Sequence, residues 1–174
     1  MAKKEKTLPV EFAGKELVIT RLFESPKEWV FKAWTEPEKI KKWWGPKGFT
    51  APVVKVDLRP GGKYLYAMQD ASGKKYWSGG VFKKVDAPNR IVVVDHFADE
   101  KGNEVSAAAY GINSSFPQEN IINFTFTEET DGTRLKIICQ LPESIAAREA
   151  IWKSHMIEGW NSSLDKLEKV LVDN

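Results

Sequence analysis

The stretch APVVKVDLRPGGKYLYAMQDASGKKYWSGGVFKKVDAPNRIVVVDHFA, residues 51–98, decides the fold. Four short runs rich in Val, Tyr, Phe and Ile, at 51–59, 61–69, 74–85 and 90–98, carry their apolar residues at a period of two, which is the strand period. The links between them, Pro60-Gly61-Gly62, 70–73 and 86–89, are made of turn formers. Links this short cannot carry a parallel crossover, so the strands form an antiparallel meander.

Working outward, KELVITRLF (15–23) is a further β-branched, largely alternating run. Two short helices are expected after it. Ser25 and Glu28 have capping-box spacing with Pro26 as the first helical residue, Thr35 and Glu38 repeat that spacing, and Gly45-Pro46 is the stop. Beyond the meander, residues 99–117 are polar and small. Strands at 120–129 and 133–141 then flank the turn Thr130-Asp131-Gly132.

The C-terminal part reads as one helix over about 144–172, roughly 43 Å long at 1.5 Å per residue. Its apolar stripe is Trp152, Met156, Trp160, Leu164, Leu167 and Leu171, opposite a water-facing side of Ser154, Glu158, Ser162, Asp165 and Lys169. The class is therefore α+β. A curved antiparallel sheet has its apolar face covered by the one long helix, and a gap is left wherever curvature outruns the side chains.

Composition limits the functions this fold can carry. The chain has 174 residues, with 26 Lys and Arg against 24 Asp and Glu, and the resulting net charge of +2 is too small for a global attraction to nucleic acid or an anionic membrane. The single cysteine, Cys139, excludes an internal disulfide and alternates onto an apolar face with Leu135 and Ile137, as a buried inert thiol does. Residues 1–14 read as a polar leader and 15–172 as a single domain. The basic start lacks the apolar stretch of a signal peptide, so a cytoplasmic protein without stable membrane association is expected. The excess is in aromatics: seven Trp, nine Phe and four Tyr.

The segments RLFESPKEWVFKAWTEPEKIKKWWGPKGFT (21–50), VDLRPGGKYLYAM (56–68), SGGVFKKVDAPNRIV (78–92) and MIEGWNSSLDKLEKVL (156–171) occur in the order of a known family. Through them the chain, over about 15–172, resembles the activator of heat-shock protein 90 ATPase homologue-like family of the START-like (SRPBCC) superfamily. The resemblance implies a helix-grip fold, with a sheet gripping the C-terminal helix around an internal, mostly apolar cavity. The superfamily hosts lipid carriers, cyclases and cochaperone domains, so fold alone does not select among them.

Candidate ligand-binding residues follow from which faces would meet that cavity. Trp44, beside the Gly45-Pro46 stop, is placed at the entrance, while Trp34 and Trp43 are assigned to packing. Tyr64, Tyr66 and Met68 share one strand face, and Tyr76, Ser78, Gly80 and Phe82 share another; both a ligand wall and an ordinary core remain open for them. Met156 and Trp160 are expected to touch whatever fills the cavity. Gly159 costs about 1 kcal/mol relative to Ala inside a helix, which points to close approach or reserved room.

No metal-ligand spacing surrounds His96 or His155, and no catalytic residue or cofactor is assigned. Arg21 shares a strand face with Ile19 and Phe23 and is either an edge residue or a buried cation needing a carboxylate such as Asp57, with a structural ion pair the favoured role. Arg59-Pro60-Gly61-Gly62 is a hairpin, and the lysines at 3, 4, 6, 39, 41 and 42 are solvated surface. The leading functional reading is non-enzymatic binding of a small hydrophobic or amphipathic ligand. Its rivals are a cochaperone-like module that stimulates the ATPase of heat-shock protein 90, and a cyclase or hydrolase acting on a small apolar substrate.

Overall fold

In the computed structural model, residues 10–173 are described. They form eight strands, β1 (Val10–Ala13), β2 (Glu16–Phe23), β3 (Thr50–Val56), β4 (Lys63–Gln69), β5 (Lys75–Asp86), β6 (Arg90–Ala98), β7 (Asn120–Glu129) and β8 (Gly132–Gln140). The helices are α1 (Lys27–Thr35), α2 (Pro37–Ile40), α3 (Ile145–Lys153) and α4 (Met156–Val172). All strands join one antiparallel sheet in the order β1-β2-β8-β7-β6-β5-β4-β3. The meander β3 to β6 is as the periodicity indicated. The leader is not wholly outside the sheet, because Val10–Ala13 pairs with β2 as an edge strand; Lys3, Lys4 and Lys6 lie outside the described residues.

Register irregularities in β3, between Thr50 and Val53, and in β5, between Phe82 and Lys84, bend the sheet in the way bulges do. One face thereby becomes concave. Leu17, Ile19 and Phe23 of β2, Phe124 and Phe126 of β7, and Leu135 and Ile137 of β8 line it, all buried, and Leu164, Leu167 and Leu171 of α4 pack onto them. The helix-grip arrangement implied by the resemblance is thus present.

Three local expectations are corrected. The C-terminal helix is two helices. Ser154 closes α3, its amide bonding back to Ala150 and Ile151 and its hydroxyl donating to the Ile151 carbonyl, and His155 then takes a left-handed φ of 57°. That break resets the helical phase, which is why Trp152 is exposed rather than part of the stripe, and it leaves α4 about 26 Å long. Neither capping box forms. Pro26 and Glu36 occupy the N-cap positions of α1 and α2 without side-chain caps, and the Thr35 hydroxyl donates back to Phe31. Arg21 pairs with Asp165 and Glu168 of α4, while Asp57 pairs with Arg59. Strand and helix faces meet in the core there, so the partner comes from the covering helix and not from the sheet.

Residues 99–117, whose conformation the sequence left open, make a bridge between Ala98 and Glu104 and a 3-10 turn at Ala107–Tyr110. Ala107 and Phe116 pack with Ala150 and Ile151 of α3 in a small second cluster, so this segment and α3 close one end of the concave face together. Among the described residues, no helix is long and apolar enough to cross a membrane.

Candidate functional site

Between the sheet and α3 and α4 lies a cavity of about 240 Å³. Its floor comes from β4 to β8, where strand alternation turns every second residue inward. On β6 the inward set is Ile91, Val93, Asp95 and Phe97, and on β4 it is Tyr64, Tyr66 and Met68. The helices contribute Trp34 of α1, Ile151 of α3, and Met156 and Trp160 of α4. A second, more open pocket of about 170 Å³ shares Trp44, Met68, Ser78, Met156 and Trp160 with the first, so these residues stand between the interior and the surface.

The sequence-derived residues divide as follows. Trp44, Tyr64, Tyr66, Met68, Phe82, Met156 and Trp160 all border this one cavity. Tyr76 does not. Its ring packs against Phe49 and Tyr110, and its hydroxyl lies 3.3 Å from Asp70 at the hairpin between β4 and β5, beyond the cavity rim. Trp43 is fully buried, with its indole N–H satisfied by the Ala33 carbonyl at 2.8 Å, as a packing residue should be. Trp34 is mostly packing, yet one side of it faces the cavity.

The rings are ordered among themselves. Trp34 and Trp160 stack at a centroid distance of 6.1 Å, Trp44 meets Trp160 edge-on at 5.7 Å, and Tyr66 meets Trp44 edge-on at 4.8 Å. Trp44 is held in place by its neighbours in the chain, since the Lys166 ammonium donates to the carbonyls of Gly45 and Phe49 and ties that loop to α4. Gly159 faces the open pocket, and a Cβ there would meet nothing within 4 Å. Of the two explanations for this glycine, room fits and close approach does not.

Sequence reasoning missed Asp95. The signal was its parity with Ile91, Val93 and Phe97, which places a carboxylate on the inner face of an otherwise apolar strand. Tyr64 and Asp95 both pair with Gly80 in the sheet, so the three stand in one row across β4, β5 and β6. The Tyr64 ring crosses Gly80, where a Cβ would come 2.5 Å from the hydroxyl and 2.2 Å from the Val94 carbonyl, and its hydroxyl donates to Asp95 Oδ2 at 2.6 Å. Glycine is needed there for the tyrosine to reach the acid.

Asp95 is enclosed by protein but retains some accessible surface, and that surface belongs to the cavity it lines. Burial raises its pKa to about 6, opposed by the Tyr64 hydrogen bond. Burial, followed by the nearby Asp95 charge, holds Tyr64 and Tyr66 protonated, and the same two causes push the Cys139 thiol up to about 12, so it is no nucleophile at neutral pH. Neither histidine hydrogen-bonds to this group, although the charge of His96, next to Asp95 in the chain, favours the ionised form of the acid. His96 points its Nδ1 at the Phe97 carbonyl, and His155 is exposed at the helix break, 3.8 Å from Glu158, so it forms no dyad with the sheet.

Solved structures similar to the chain agree with this architecture. A crystal structure from Mycobacterium smegmatis superposes with a TM-score of 0.77 at 30% identity, covering 94% of this chain and 97% of that one. An NMR structure from Staphylococcus epidermidis gives 0.72 at 29% identity, with coverage of 94% and 93%. One from Arthrobacter aurescens, at 23% identity, shares the fold with a TM-score of 0.80 and coverage of 95% and 92%. No curated protein matches the chain. The family model described as "Activator of Hsp90 ATPase homolog 1-like protein" matches residues 24–172, which takes in the helix pair, the meander and both C-terminal helices, and the chain belongs to that family.

Proposed function

We propose that the protein binds a small hydrophobic or amphipathic molecule in the cavity between its sheet and its C-terminal helices, and does so in the cytoplasm without performing chemistry on it. The observation that carries this reading is the cavity itself. A space of about 240 Å³ walled by Trp34, Trp44, Phe124 and Trp160 is far larger than the sub-water voids that close packing leaves in a core. Filling such a space with side chains would add stability, so leaving it open favours a role for the space. Trp44, Tyr64, Tyr66, Met68, Phe82, Met156 and Trp160 are the proposed contacts.

Native mass spectrometry of the purified full chain, with a thermal-shift screen of small apolar metabolites, tests the reading. A retained ligand or a saturable rise in melting temperature supports it, and a protein that no compound stabilises or accompanies refutes it.

One observation favours a second reading. An acid with a pKa of about 6 hydrogen-bonded to a tyrosine is poised for proton transfer near neutral pH, which suits a cyclase or hydrolase of small apolar substrates. Turnover of a bound compound that is lost in Asp95→Asn would decide for it. A chaperone partner, suggested by the family description, would dock on the outside and would leave the cavity unexplained.

A further inference from the structure

We propose that the cavity takes an amphipathic cation, a small apolar body carrying one protonated amine, with the ammonium on Asp95 and the body among the rings of Trp34, Trp44 and Trp160. The inference rests on the ligand-binding reading above. Among the described residues that line the cavity, Asp95 is the one charged side chain; none is Lys, Arg or His. The hydrogen bond from Tyr64 reaches only Oδ2, which leaves the rest of the carboxylate facing the cavity.

The titratable groups around Asp95 are Tyr64 and Tyr66 of β4, Cys139 of β8 and its chain neighbour His96, whose ring is turned to the Phe97 carbonyl. Burial holds the first three in their neutral forms. A pKa of about 6 leaves the carboxylate mostly ionised at pH 7.5, so the cavity holds an anion with no counter-charge on its walls. An enclosed unpaired charge is unfavourable, and a ligand that supplies the opposite charge removes the penalty. The rings favour the apolar part of the same ligand, because Trp34, Trp44 and Trp160 border the same cavity as Asp95 and pack on one another as one apolar wall. A carboxylate ligand would meet Asp95 with like charge.

Three probes of similar size separate these chemistries: 2-phenylethylamine, 2-phenylethanol and 3-phenylpropanoate, titrated into the full chain by calorimetry at pH 7.5. The amine is expected to bind at least tenfold more tightly than the alcohol, and the propanoate most weakly. In Asp95→Asn the amine falls to within about threefold of the alcohol, whose affinity is retained.

A measurement on the unaltered protein stands beside the variant. Between pH 7.5 and 5 an alkylammonium stays protonated, as lysine does, while Asp95 gains a proton, so amine affinity drops several-fold and alcohol affinity does not. An amine that binds no better than the alcohol, or whose advantage survives both Asp95→Asn and the lower pH, overturns the inference and leaves the cavity reading standing. Binding by none of the three overturns both.

Discussion

The Tyr64 hydroxyl donates to the Asp95 carboxylate at 2.6 Å across Gly80, the residue that pairs with both in the sheet. Three consecutive strands thus place a donor, a gap and an acceptor in one row. A buried carboxylate in an apolar wall is unfavourable for folding, and a single tyrosine hydrogen bond offsets only part of the desolvation.

That imbalance predicts a pH-dependent stability difference. With a folded pKa of about 6 against an ordinary 3.8, Asp95 is protonated in both states at the lowest pH and imposes no differential penalty there. As pH rises from about 3.8, the unfolded chain ionises at this residue before the folded protein does, so stability is lost progressively up to about pH 6 and levels off after a total loss of roughly 3 kcal/mol. Asp95→Asn keeps the shape and can accept from Tyr64 but does not ionise. Its stability relative to the parent should therefore rise by about 2–3 kcal/mol between pH 4 and pH 8 in urea denaturation. A difference that does not change with pH would remove the burial account.

Two glycines should respond in opposite ways. Gly159→Ala, where a Cβ meets nothing within 4 Å, should stabilise α4 by about 0.5–1 kcal/mol. Gly80→Ala should destabilise by roughly 1–3 kcal/mol, and adding Tyr64→Phe should not restore it, because the Val94 carbonyl at 2.2 Å is backbone and cannot move aside as a side chain can. Denaturant midpoints of the three variants check this.

How far the sequence disclosed this arrangement depends on the range of the interactions involved. Period-two runs and turn formers are local, so β3 to β8 were legible to within a few residues at each end. The break at Ser154–His155 was not, because the apolar spacing of Trp152 and Met156 continues across it and only the left-handed His155 interrupts it. The inward faces of β4 and α4 were legible from parity and stripe, which is why Tyr64, Tyr66, Met156 and Trp160 were found. Tyr76 shares a parity with Ser78 and Phe82 but lies past the rim, and no local pattern says where a strand leaves a cavity. Partners far apart in the chain were the least visible. Arg21 and Asp165 lie 144 residues apart, and the pairing needs the crossing of α4 over β2 to be known first.

The same ion pair yields a contrast between removing a charge and orphaning one. The Arg21 side chain is 4% exposed, and its Nε and Nη1 have no hydrogen-bond partner among the described residues, so its stability depends on Asp165 and Glu168. Asp165→Asn together with Glu168→Gln should destabilise by about 3 kcal/mol, because the cation stays buried. Arg21→Met should stay within about 1 kcal/mol of the parent, since an apolar side chain of similar length needs no counter-charge. Chemical denaturation near pH 7 distinguishes the two, and a larger loss for Arg21→Met would reverse the argument.

The aromatic excess also separates into residues that hold the fold and residues that border empty space. Trp43 is fully buried against Trp34 and Trp44, and truncating it to Ala should cost about 3–5 kcal/mol, the transfer term plus a new cavity. Trp160 already borders a cavity of about 240 Å³ and is only partly buried, so its truncation enlarges an existing space and should cost about 1–2 kcal/mol. If the cavity serves a ligand, Trp160→Ala should nevertheless abolish the thermal shift given by any compound that binds there. Tyr76→Phe, outside the cavity, should leave that shift intact. Equal stability losses for Trp43→Ala and Trp160→Ala, with no effect of either on ligand binding, would make Trp160 a packing residue like Trp43.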